Sequence, residues 1–582
     1  MSAPRRLLGS ALARPGAVAI VLLGLAWGTI IHQTGWAQLG HYAEVRALAD
    51  GRKNVDPWHW ETGDVAYIDG HYYSVKSPGM AAISVPPYLL LEAVGGLDVA
   101  GDAALRARDA EQPRWAPNED SPWAQYGYDR RRAVRVEQRI EAATPVVWLL
   151  TLIAAVIPSV LLLFLVRGVG ERLVPGYGTA AAITLGLATI LMTFATEFFS
   201  HAISTTVAFG AFCVLMRERQ GEPRSALVAL GGLLAGLACT FEVQAGLVGV
   251  VLAAYAIARG GWLRRAGAYA GGALVGALPM LAFNTWMLGA PWKLGYRDAV
   301  AEIGVSGHAE IGLNDDGFFG ITLPRLDAAG DLLYGGRGLL VLTPILVMAV
   351  IGVLIMRRSG HRAEAWTILG VAGAYFLYDA AYWQPYGGGT PGPRFLIPAL
   401  PFVAVGLAYA YRARPATTLA LAIPSALAML VATITYPLLG EEGTRRWVEL
   451  LADGTIEHTV WTIAGIGPNW LAIMPFLALL GGAIWFAVRA TPSALPVDRA
   501  DLATAAAALA AWIAVAVIGP TIAADPVTPL DGGPETFALI GAGALLAAIV
   551  LLVLRGRSRI PDQRPAAAPS PGPERALGDT SS

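Results

Sequence analysis

Long apolar runs alternate with shorter polar connections along almost the whole chain. Many of these runs are roughly 17 to 22 residues long, which is the length that an α-helix needs to cross about 30 Å of hydrocarbon. About fourteen runs reach or approach that length. They cover residues 17–36, 145–166, 178–196, 202–217, 226–240, 243–258, 268–288, 338–356, 364–383, 395–411, 416–437, 468–488, 501–522 and 536–555. The pattern predicts an all-α polytopic membrane protein.

Arginines lie in alternate connections between these runs. They mark the short connections that begin near residues 167, 217, 259, 357, 412, 489 and 555. By the positive-inside rule these connections are cytoplasmic, and so are both chain termini. The outer side then carries long connections at residues 37–144, 289–337 and 438–467 and a short one at 384–394. Any chemistry is therefore expected to face outward.

The segment 79–98, with the sequence GMAAISVPPYLLLEAVGGLD, is apolar enough to span the membrane. It also contains Pro86, Pro87 and Glu92. If it crossed, every later connection would change sides and the arginine-rich ones would lie outside. We therefore predict an interfacial or re-entrant helix on the outer surface.

Composition narrows the class further. The chain of 582 residues is 55% hydrophobic and 15% charged, and its net charge of -1 gives no indication of nucleic-acid binding. Both cysteines, Cys213 and Cys239, fall inside apolar runs. Thiols in that setting form neither a disulfide framework nor a zinc cluster.

The first outer connection holds most of the candidate chemistry, in the stretch HWETGDVAYIDGHYYSVKSPG at residues 59–79 and just before it. Carboxylates near a membrane surface can deprotonate a hydroxyl or bind a metal, since partial burial moves a carboxyl pKa toward neutrality. The candidate acids are Asp56, Asp64 and Glu44, although a solvated loop remains the alternative for each. Lys76 is a candidate phosphate partner. Candidate substrate-binding rings are His59, His71, Tyr72 and Tyr73.

Other charged residues stand where apolar runs begin or end. Arg394 follows a glycine-rich stretch where an outer connection re-enters the membrane, and a helix-end anchor is its alternative role. Glu242 and Asp379 lie within or beside apolar segments, where an unpaired charge costs about 3 kcal/mol or more. We favour a functional role for Glu242 and a structural one for Asp379. His201 ends the sequence TEFFSH and could bind phosphate or a metal, or only hydrogen-bond at a helix end.

Several of these motifs resemble the GT-C superfamily of polyprenyl-phosphate-sugar-dependent glycosyltransferases. The likeness is to the bacterial relatives of protein O-mannosyltransferase and aminoarabinose transferase, in an actinobacterial branch. The motifs are YYSVKSPG with the following SVPPYLLL, TFATEFFSHA, LAGLACTFEV, GFFGI, RGLLVLTP and YGGGTPGPRFLIPALPF. The resemblance covers roughly residues 15 to 440. It implies a catalytic transmembrane region at 1–440. The apolar runs predict further transmembrane helices with an outer loop at 441–555, and the Pro/Ala/Ser-rich composition predicts a disordered cytoplasmic tail at 556–582.

The resemblance also implies a mechanism in a bacterial plasma membrane. A carboxylate of the first outer loop would act as general base toward an acceptor hydroxyl, which would displace polyprenyl phosphate from the sugar. Asp56 and Asp64 fit the acidic positions first, and Glu44 third. Arg394, then Lys76 and Arg337, would hold the donor phosphate, with His201 beside them and Glu242 orienting an arginine or the lipid. No cofactor is required by the likeness, and a divalent cation, Mg²⁺ or Mn²⁺, is compatible with it.

Two other function classes remain open from the sequence. Many spans with a few intramembrane acids are also typical of a transporter or lipid flippase, although no inverted repeat is visible. A non-catalytic lipid-binding subunit with the same fold would look similar. The expected partners are a polyprenyl-phosphate sugar donor, a cell-envelope acceptor and the bilayer. The sugar and the acceptor cannot be identified from the residues.

Overall fold

The computed structural model describes residues 14–110, 130–298, 320–438, 443–492 and 497–523, together with Gly543. In the first half of the chain the helices are α1 (Pro15–Trp27), α2 (Trp36–Ala49), α3 (Pro78–Ala93), α4 (Gly96–Ala110), α5 (Arg130–Thr151), α6 (Ile157–Leu173), α7 (Gly178–Leu187), α8 (Leu191–Phe194), α9 (His201–Gln220), α10 (Ser225–Phe241), α11 (Gly246–Ile257) and α12 (Trp262–Leu288). A π-helical turn, Leu152–Val156, joins α5 to α6.

In the second half the helices are α13 (Leu326–Tyr334), α14 (Leu339–Leu342), α15 (Ile345–Arg358), α16 (Arg362–Ala381), α17 (Leu400–Ala413), α18 (Pro415–Thr435), α19 (Gly443–Ala452), α20 (Val460–Ile463), α21 (Asn469–Ala472), α22 (Met474–Ala490) and α23 (Arg499–Ile522). Short 3₁₀ turns occur at His59–Glu61, Val243–Ala245, Gly295–Asp298 and Arg394–Ala399. Four short strands, β1 (Ile30–Ile31), β2 (Val65–Ile68), β3 (His71–Ser74) and β4 (His458–Thr459), form two antiparallel pairs, β1 with β4 and β2 with β3.

Six helical segments are long and apolar enough to cross a membrane, and two bent helix pairs raise this number to eight at most among the described residues. The six are Gln138–Leu173, Trp262–Leu288, Arg394–Ala413, Pro415–Thr435, Asn469–Ala490 and Arg499–Ile522. The prediction of a helical multi-pass membrane protein is confirmed. The number of about fourteen spans is not confirmed. Several apolar runs fold as shorter helices, and the run at 178–196, for example, divides into α7 and α8. The last expected run, 536–555, and the tail lie outside the described residues.

The ambiguous segment 79–98 folds as two helices with a sharp bend. Helices α3 and α4 meet at 86°, the geometry of a broken span or a re-entrant loop. The two internal prolines, Pro86 and Pro87, do not end α3. The chain turns instead at Gly95, whose φ of 69° favours glycine. A re-entrant form, as the sequence predicts, is compatible with this bend.

Close packing between helices fixes the end of α10. A Cβ atom added at Gly236 would lie 2.0 Å from the carbonyl oxygen of Ala273 in α12, and one at Gly276 would lie 2.1 Å from that of Leu233. Such close approach is typical of helix pairs with small residues at their interface. Helix α10 ends at Phe241, and the next residue, Glu242, has an extended backbone conformation.

The connection between α2 and α3 contains a β-hairpin that brings distant polar residues together. Val65 pairs with Ser74 at one end of the hairpin, and Ile68 pairs with His71 at the other. The turn residues Asp69 and Gly70 both have positive φ, which matches the right-handed twist of a two-residue hairpin. Residues that directly flank the paired strands at their open end are therefore neighbours.

Candidate functional site

Asp64 and Lys76 form an ion pair at the open end of the β2–β3 hairpin. The Lys76 ammonium contacts the Asp64 carboxylate, and both side chains are about nine-tenths buried. Burial opposes the Lys76 charge, but the adjacent Asp64 carboxylate leaves the pKa of Lys76 above its usual value. Lys76 is therefore a cation at neutral pH. Its Nζ also lies 3.4 Å from the hydroxyl of Tyr296, which reaches the pair from the connection that follows α12.

Helix α2 supplies two further buried groups to this place. Both His41 and Glu44 are 2% exposed. Burial raises the pKa of Glu44 well above its usual range, against the opposing charge of Lys76. Burial and the charge of Lys76 together lower the pKa of His41. Burial thus favours the neutral forms of both Glu44 and His41.

Arg394 begins the 3₁₀ turn Arg394–Ala399 that leads into α17. Its guanidinium lies 5.5 Å from the ring centre of Phe199 and 5.1 Å from that of Phe395. Among the described residues it forms no ion pair, and its buried Nε has no hydrogen-bond partner. An arginine held on aromatic faces with its polar edge unused is well suited to bind a phosphate oxygen pair.

The glycine-rich loop before Arg394 is held by Arg337. The Arg337 guanidinium donates to the carbonyl oxygen of Gly388 at 2.7 Å and to that of Thr390 at 3.2 Å, and it lies 4.4 Å from the ring centre of Tyr386. A Cβ atom added at Gly387, whose φ is 74°, would lie 2.8 Å from Arg394 Nε. Arg337 therefore supports the loop that leads to Arg394. The sequence analysis predicted instead that Arg337 binds the donor phosphate.

His201 and Glu242 form a buried pair next to Arg394. His201 Nδ1 lies 2.7 Å from Glu242 Oε1, and the two side chains are 5% and 6% exposed. The His201 ring is stacked at 5.8 Å on Phe199, the same ring that lies beside Arg394. The packing of α10 explains why Glu242 points here: it follows the last helical residue in an extended conformation.

These groups lie in one place, which we call the central cluster: Asp64, Lys76, Tyr296, His41, Arg394, His201 and Glu242. His41 is within electrostatic range of Lys76, Asp64, His201 and Arg394. Tyr296 is within range of Lys76, Asp64 and Arg394. Residues separated by more than 300 positions thus form a single polar site, with two cations, acids and neutral hydrogen-bonding groups.

The other predicted residues of the first loop lie together elsewhere on the hairpin, in a group that we call the hairpin patch: Asp56, His59, His71 and Tyr72. The Asp56 carboxylate binds His71 Nδ1 at 2.7 Å and accepts the backbone N–H of Tyr72 at 2.7 Å. The His59 ring stacks on Tyr72 with 3.9 Å between centres. Tyr73, the next residue, is 6% exposed and points to the other face of the strand. Asp56 and Asp64 are therefore brought to different surroundings.

Sequence reasoning missed Tyr296, His41 and a second polar cluster. Tyr296 carries no local signal, since it reaches Lys76 across 220 residues. His41 lies on the same side of α2 as Glu44. Its position three residues before a candidate acid could therefore have identified it as a residue of the candidate site.

The second polar cluster consists of His32, Gln38, Thr196, Glu197 and Glu457. His32 Nε2 lies 2.7 Å from the hydroxyl of Thr196, and His32 Nδ1 lies 3.4 Å from Glu457. Gln38 donates to Glu197 at 2.7 Å. Burial raises the pKa of Glu197 to about 7, against the opposing effects of His32 and Gln38. This cluster joins the end of α1 to the segment just before β4.

No group of three or more His, Cys, Asp or Glu side chains with the arrangement of a metal site occurs in the part of the chain that the structure describes. The divalent cation that the sequence resemblance allows stays a prediction.

No protein-family model and no curated protein matches the chain. Two solved structures are similar to it over most of its length, both of ArnT from Cupriavidus metallidurans. The structure bound to undecaprenyl phosphate has 14% sequence identity and a TM-score of 0.42, and the match covers 94% of this chain and 78% of that one. The apo structure has 16% identity and a TM-score of 0.38, with 93% and 78% covered.

Proposed function

We propose that this chain is a membrane glycosyltransferase that moves a sugar from a polyprenyl-phosphate donor to the hydroxyl of an extracytoplasmic acceptor. The observation that carries the proposal is the meeting of the buried Asp64–Lys76 pair with Arg394 in one cluster. A carboxylate beside two cations is what displacement of a phosphate leaving group by a hydroxyl needs. The sequence motifs that resemble the GT-C superfamily supply most of these residues and support the same activity.

In the proposed reaction Asp64 is the general base. Its carboxylate takes the proton of the acceptor hydroxyl while that oxygen forms a bond to the anomeric carbon. The bond between the anomeric carbon and the phosphate oxygen breaks, its electron pair stays on the phosphate, and the sugar configuration inverts. The donor is a phosphodiester and the product lipid is a phosphate monoester, so the negative charge on the phosphate grows in the transition state.

Lys76 and Arg394 would stabilise that growing charge. Because the cluster is largely buried, each charge–charge contact is stronger than it would be in water. Lys76 is held by Asp64 before substrate binds. A donor phosphate competes for the ammonium, and this competition would free the carboxylate to act as base. Donor binding and base activation are linked in this way.

Asp56, which the sequence placed first, is the weaker candidate base on structural grounds. Its carboxylate holds His71 and the backbone of Tyr72, and its side chain is 35% exposed. The two cations proposed to bind the phosphate, Lys76 and Arg394, belong to the central cluster, of which Asp56 is not a member. The hairpin patch is a better candidate for acceptor contact through the stacked rings of His59 and Tyr72.

The test is release of polyprenyl phosphate by the purified full-length protein in lipid nanodiscs. A panel of polyprenyl-phosphate sugars would be supplied with and without cell-envelope extract as the acceptor source. We expect acceptor-dependent release with at least one sugar, and a matched loss in Asp64→Asn and Arg394→Gln variants that remain folded. A transporter would move the lipid without cleaving it, and a binding subunit would retain it unchanged. Either result would reject the enzymatic proposal.

A further inference from the structure

Lys76 is contacted by two parts of the chain besides Asp64. A Cβ atom added at Gly40 of α2 would lie 3.5 Å from Lys76 Cε and 3.3 Å from the carbonyl oxygen of Asp64. The other contact comes from Tyr296, in the 3₁₀ turn Gly295–Asp298. Lys76 Nζ donates to the Tyr296 hydroxyl at 3.4 Å and lies 5.8 Å from the centre of the Tyr296 ring. The reaction proposed above gives no role to Tyr296.

Packing of the main chain fixes the position of Tyr296. A Cβ atom added at Gly295 would lie 3.0 Å from the carbonyl oxygen of Ser74 and 3.1 Å from Cα of Val75, the two residues that precede Lys76. The Tyr296 side chain also packs against a small apolar cluster of the hairpin. These contacts hold the ring beside Lys76 without using the hydroxyl.

Asp64 has two tasks in the proposed reaction, and the two conflict. Its carboxylate holds the Lys76 ammonium, and it also takes the proton of the acceptor hydroxyl. Once protonated, Asp64 is neutral and attracts the ammonium far less than a carboxylate does. A further partner on the protein is then needed, because the position of the ammonium relative to the phosphate decides how well it stabilises the growing charge.

The Tyr296 hydroxyl is such a partner. A hydroxyl oxygen accepts a hydrogen bond from an ammonium whether or not Asp64 is ionised. Burial raises the pKa of Tyr296 against the opposing charge of Lys76, so the phenol stays uncharged and does not compete with a phosphate for the Lys76 charge. Hydrogen bonds in active sites are often long before substrate binds and tighten afterwards, and a separation of 3.4 Å suits this role.

We propose that Tyr296 is a positioning residue whose hydroxyl holds the Lys76 ammonium against the donor phosphate while Asp64 acts as the general base. The proposal rests on the proposed function, since it concerns the phosphate of the polyprenyl donor. When the phosphate takes over the ammonium from Asp64, the hydrogen bond from Lys76 to Tyr296 is kept. One of the three ammonium donors stays on the protein, and the other two are available to the phosphate oxygens.

The test is a double-mutant cycle between Tyr296→Phe and Lys76→Gln, followed as binding of undecaprenyl phosphate. Full-length protein in nanodiscs is titrated with this lipid, and binding is measured by native mass spectrometry. Tyr296→Phe keeps the ring and removes the hydroxyl, so it should weaken binding about threefold to tenfold, the effect of losing one hydrogen bond. In the Lys76→Gln background the same change should have no further effect, because the hydroxyl acts through the ammonium. In turnover assays the loss should appear in kcat as well as in the donor KM, since the charge on the phosphate grows toward the transition state.

Tyr269→Phe is the matched control, because Tyr269 lies in α12, the helix that leads to the Tyr296 turn, and its hydroxyl donates to the carbonyl oxygen of Gly249 at 2.7 Å. It should leave lipid affinity unchanged. Equal weakening by Tyr296→Phe in the wild-type and Lys76→Gln backgrounds would show an effect of structure alone and would overturn the proposal. Unchanged binding by Tyr296→Phe would overturn it as well.

Should Lys76→Gln bind the lipid too weakly to be titrated, the cycle is run in Asp64→Asn protein instead. The uncharged amide attracts the ammonium less, so the hydroxyl contributes more and Tyr296→Phe should weaken binding by more than it does in the wild type. An equal or smaller effect would contradict the role of Tyr296 and leave the proposed function standing. Wild-type protein that binds no undecaprenyl phosphate would reject both.

Discussion

The β2–β3 hairpin carries two carboxylate contacts, Asp56 with an imidazole and Asp64 with an ammonium, and they differ in their exposure. Asp56 and His71 lie 2.7 Å apart at the surface, with side chains 35% and 52% exposed. Asp64 and Lys76 are in contact at the open end of the hairpin, with side chains only 10% and 8% exposed. An exposed pair contributes roughly 0–1 kcal/mol to stability, because water screens it. The buried pair keeps two opposite charges in a poorly screened place, where they interact strongly with each other and with any incoming phosphate.

This contrast shows that residue type alone does not separate a structural acid from a candidate catalytic one. Both aspartates come from the same polar stretch, only eight positions apart. Asp56 receives a backbone N–H and an imidazole, so its lone pairs are used to fix the hairpin. Asp64 is attached to a cation that a substrate phosphate can take over. The following predictions test whether this difference in surroundings is a difference in function.

The largest expected effect separates the two aspartates directly. Asp64→Asn should lower single-turnover sugar transfer by about 10²-fold or more, the usual contribution of a general base. Asp56→Asn should lower turnover far less, since it removes no proton acceptor from the central cluster and weakens only the contacts that hold the hairpin patch. The measurement is transfer from a polyprenyl-phosphate sugar, normalised to folded protein. Loss in Asp56→Asn with activity retained in Asp64→Asn would return the base to Asp56, the residue that the sequence favours.

A smaller effect is expected when the phosphate-binding geometry is altered and the charge is kept. Arg394→Lys retains a cation but loses the planar fork that can hold two phosphate oxygens. We expect kcat/KM for the donor to fall about tenfold, or about 1.4 kcal/mol in transition-state stabilisation. Arg446→Lys, on the partly exposed Arg446–Glu449 pair of α19, is the control and should be silent. Wild-type kinetics in Arg394→Lys would mean that Arg394 is an anchor at a helix end.

The sequence predicted the class of fold and most residues of the site, because both depend on strong local signals. Apolar runs identify helices in a membrane without reference to tertiary contacts. Charged residues at the ends of apolar runs, such as Arg394 and Glu242, can likewise be recognised from the sequence without reference to tertiary contacts. The exact number of spans is not confirmed, since breaks such as that between α7 and α8 leave hydropathy unchanged. The choice between Asp56 and Asp64 was not accessible, since burial arises from α2, the hairpin and Tyr296 meeting in space.

The glycine-rich loop before Arg394 positions its guanidinium, and a change in that loop should alter the donor KM by a few-fold. Gly387→Ala places a methyl group at a φ of 74° and within 2.8 Å of Arg394 Nε. Alanine in this backbone region costs about 1 kcal/mol, and the guanidinium must also shift. Donor KM should rise about threefold to tenfold, since 1.4 kcal/mol is a factor of ten. Gly454→Ala is the control: its φ is 73°, but nothing lies within 4 Å of the added atom. A similar KM change in both variants would exclude a specific effect on Arg394.

The smallest expected effect concerns Glu197, a buried acid of the second polar cluster, in comparison with the more exposed Asp56. Burial raises the pKa of Glu197 from 4.5 to about 7. An acid whose pKa is raised on folding binds its proton more tightly in the folded state. Its contribution to stability is therefore complete below about pH 4.5 and is lost as the pH rises toward about 7. The Tm of the wild-type protein should decline across this window as Glu197 ionises.

Glu197→Gln cannot ionise, so this part of the decline should disappear in the variant. Since 1 kcal/mol moves Tm by only about 2–4 °C in chains of 150–250 residues, and by less in a longer chain, we expect a difference of a few degrees. The measurement is intrinsic-fluorescence melting in nanodiscs between pH 4.5 and 7.5. Asp56→Asn serves as the exposed-acid control and should keep the wild-type pH profile. Parallel profiles for wild type and Glu197→Gln would show that the fold tolerates an ionised Glu197 beside Glu457, with His32 supplying the compensating charge.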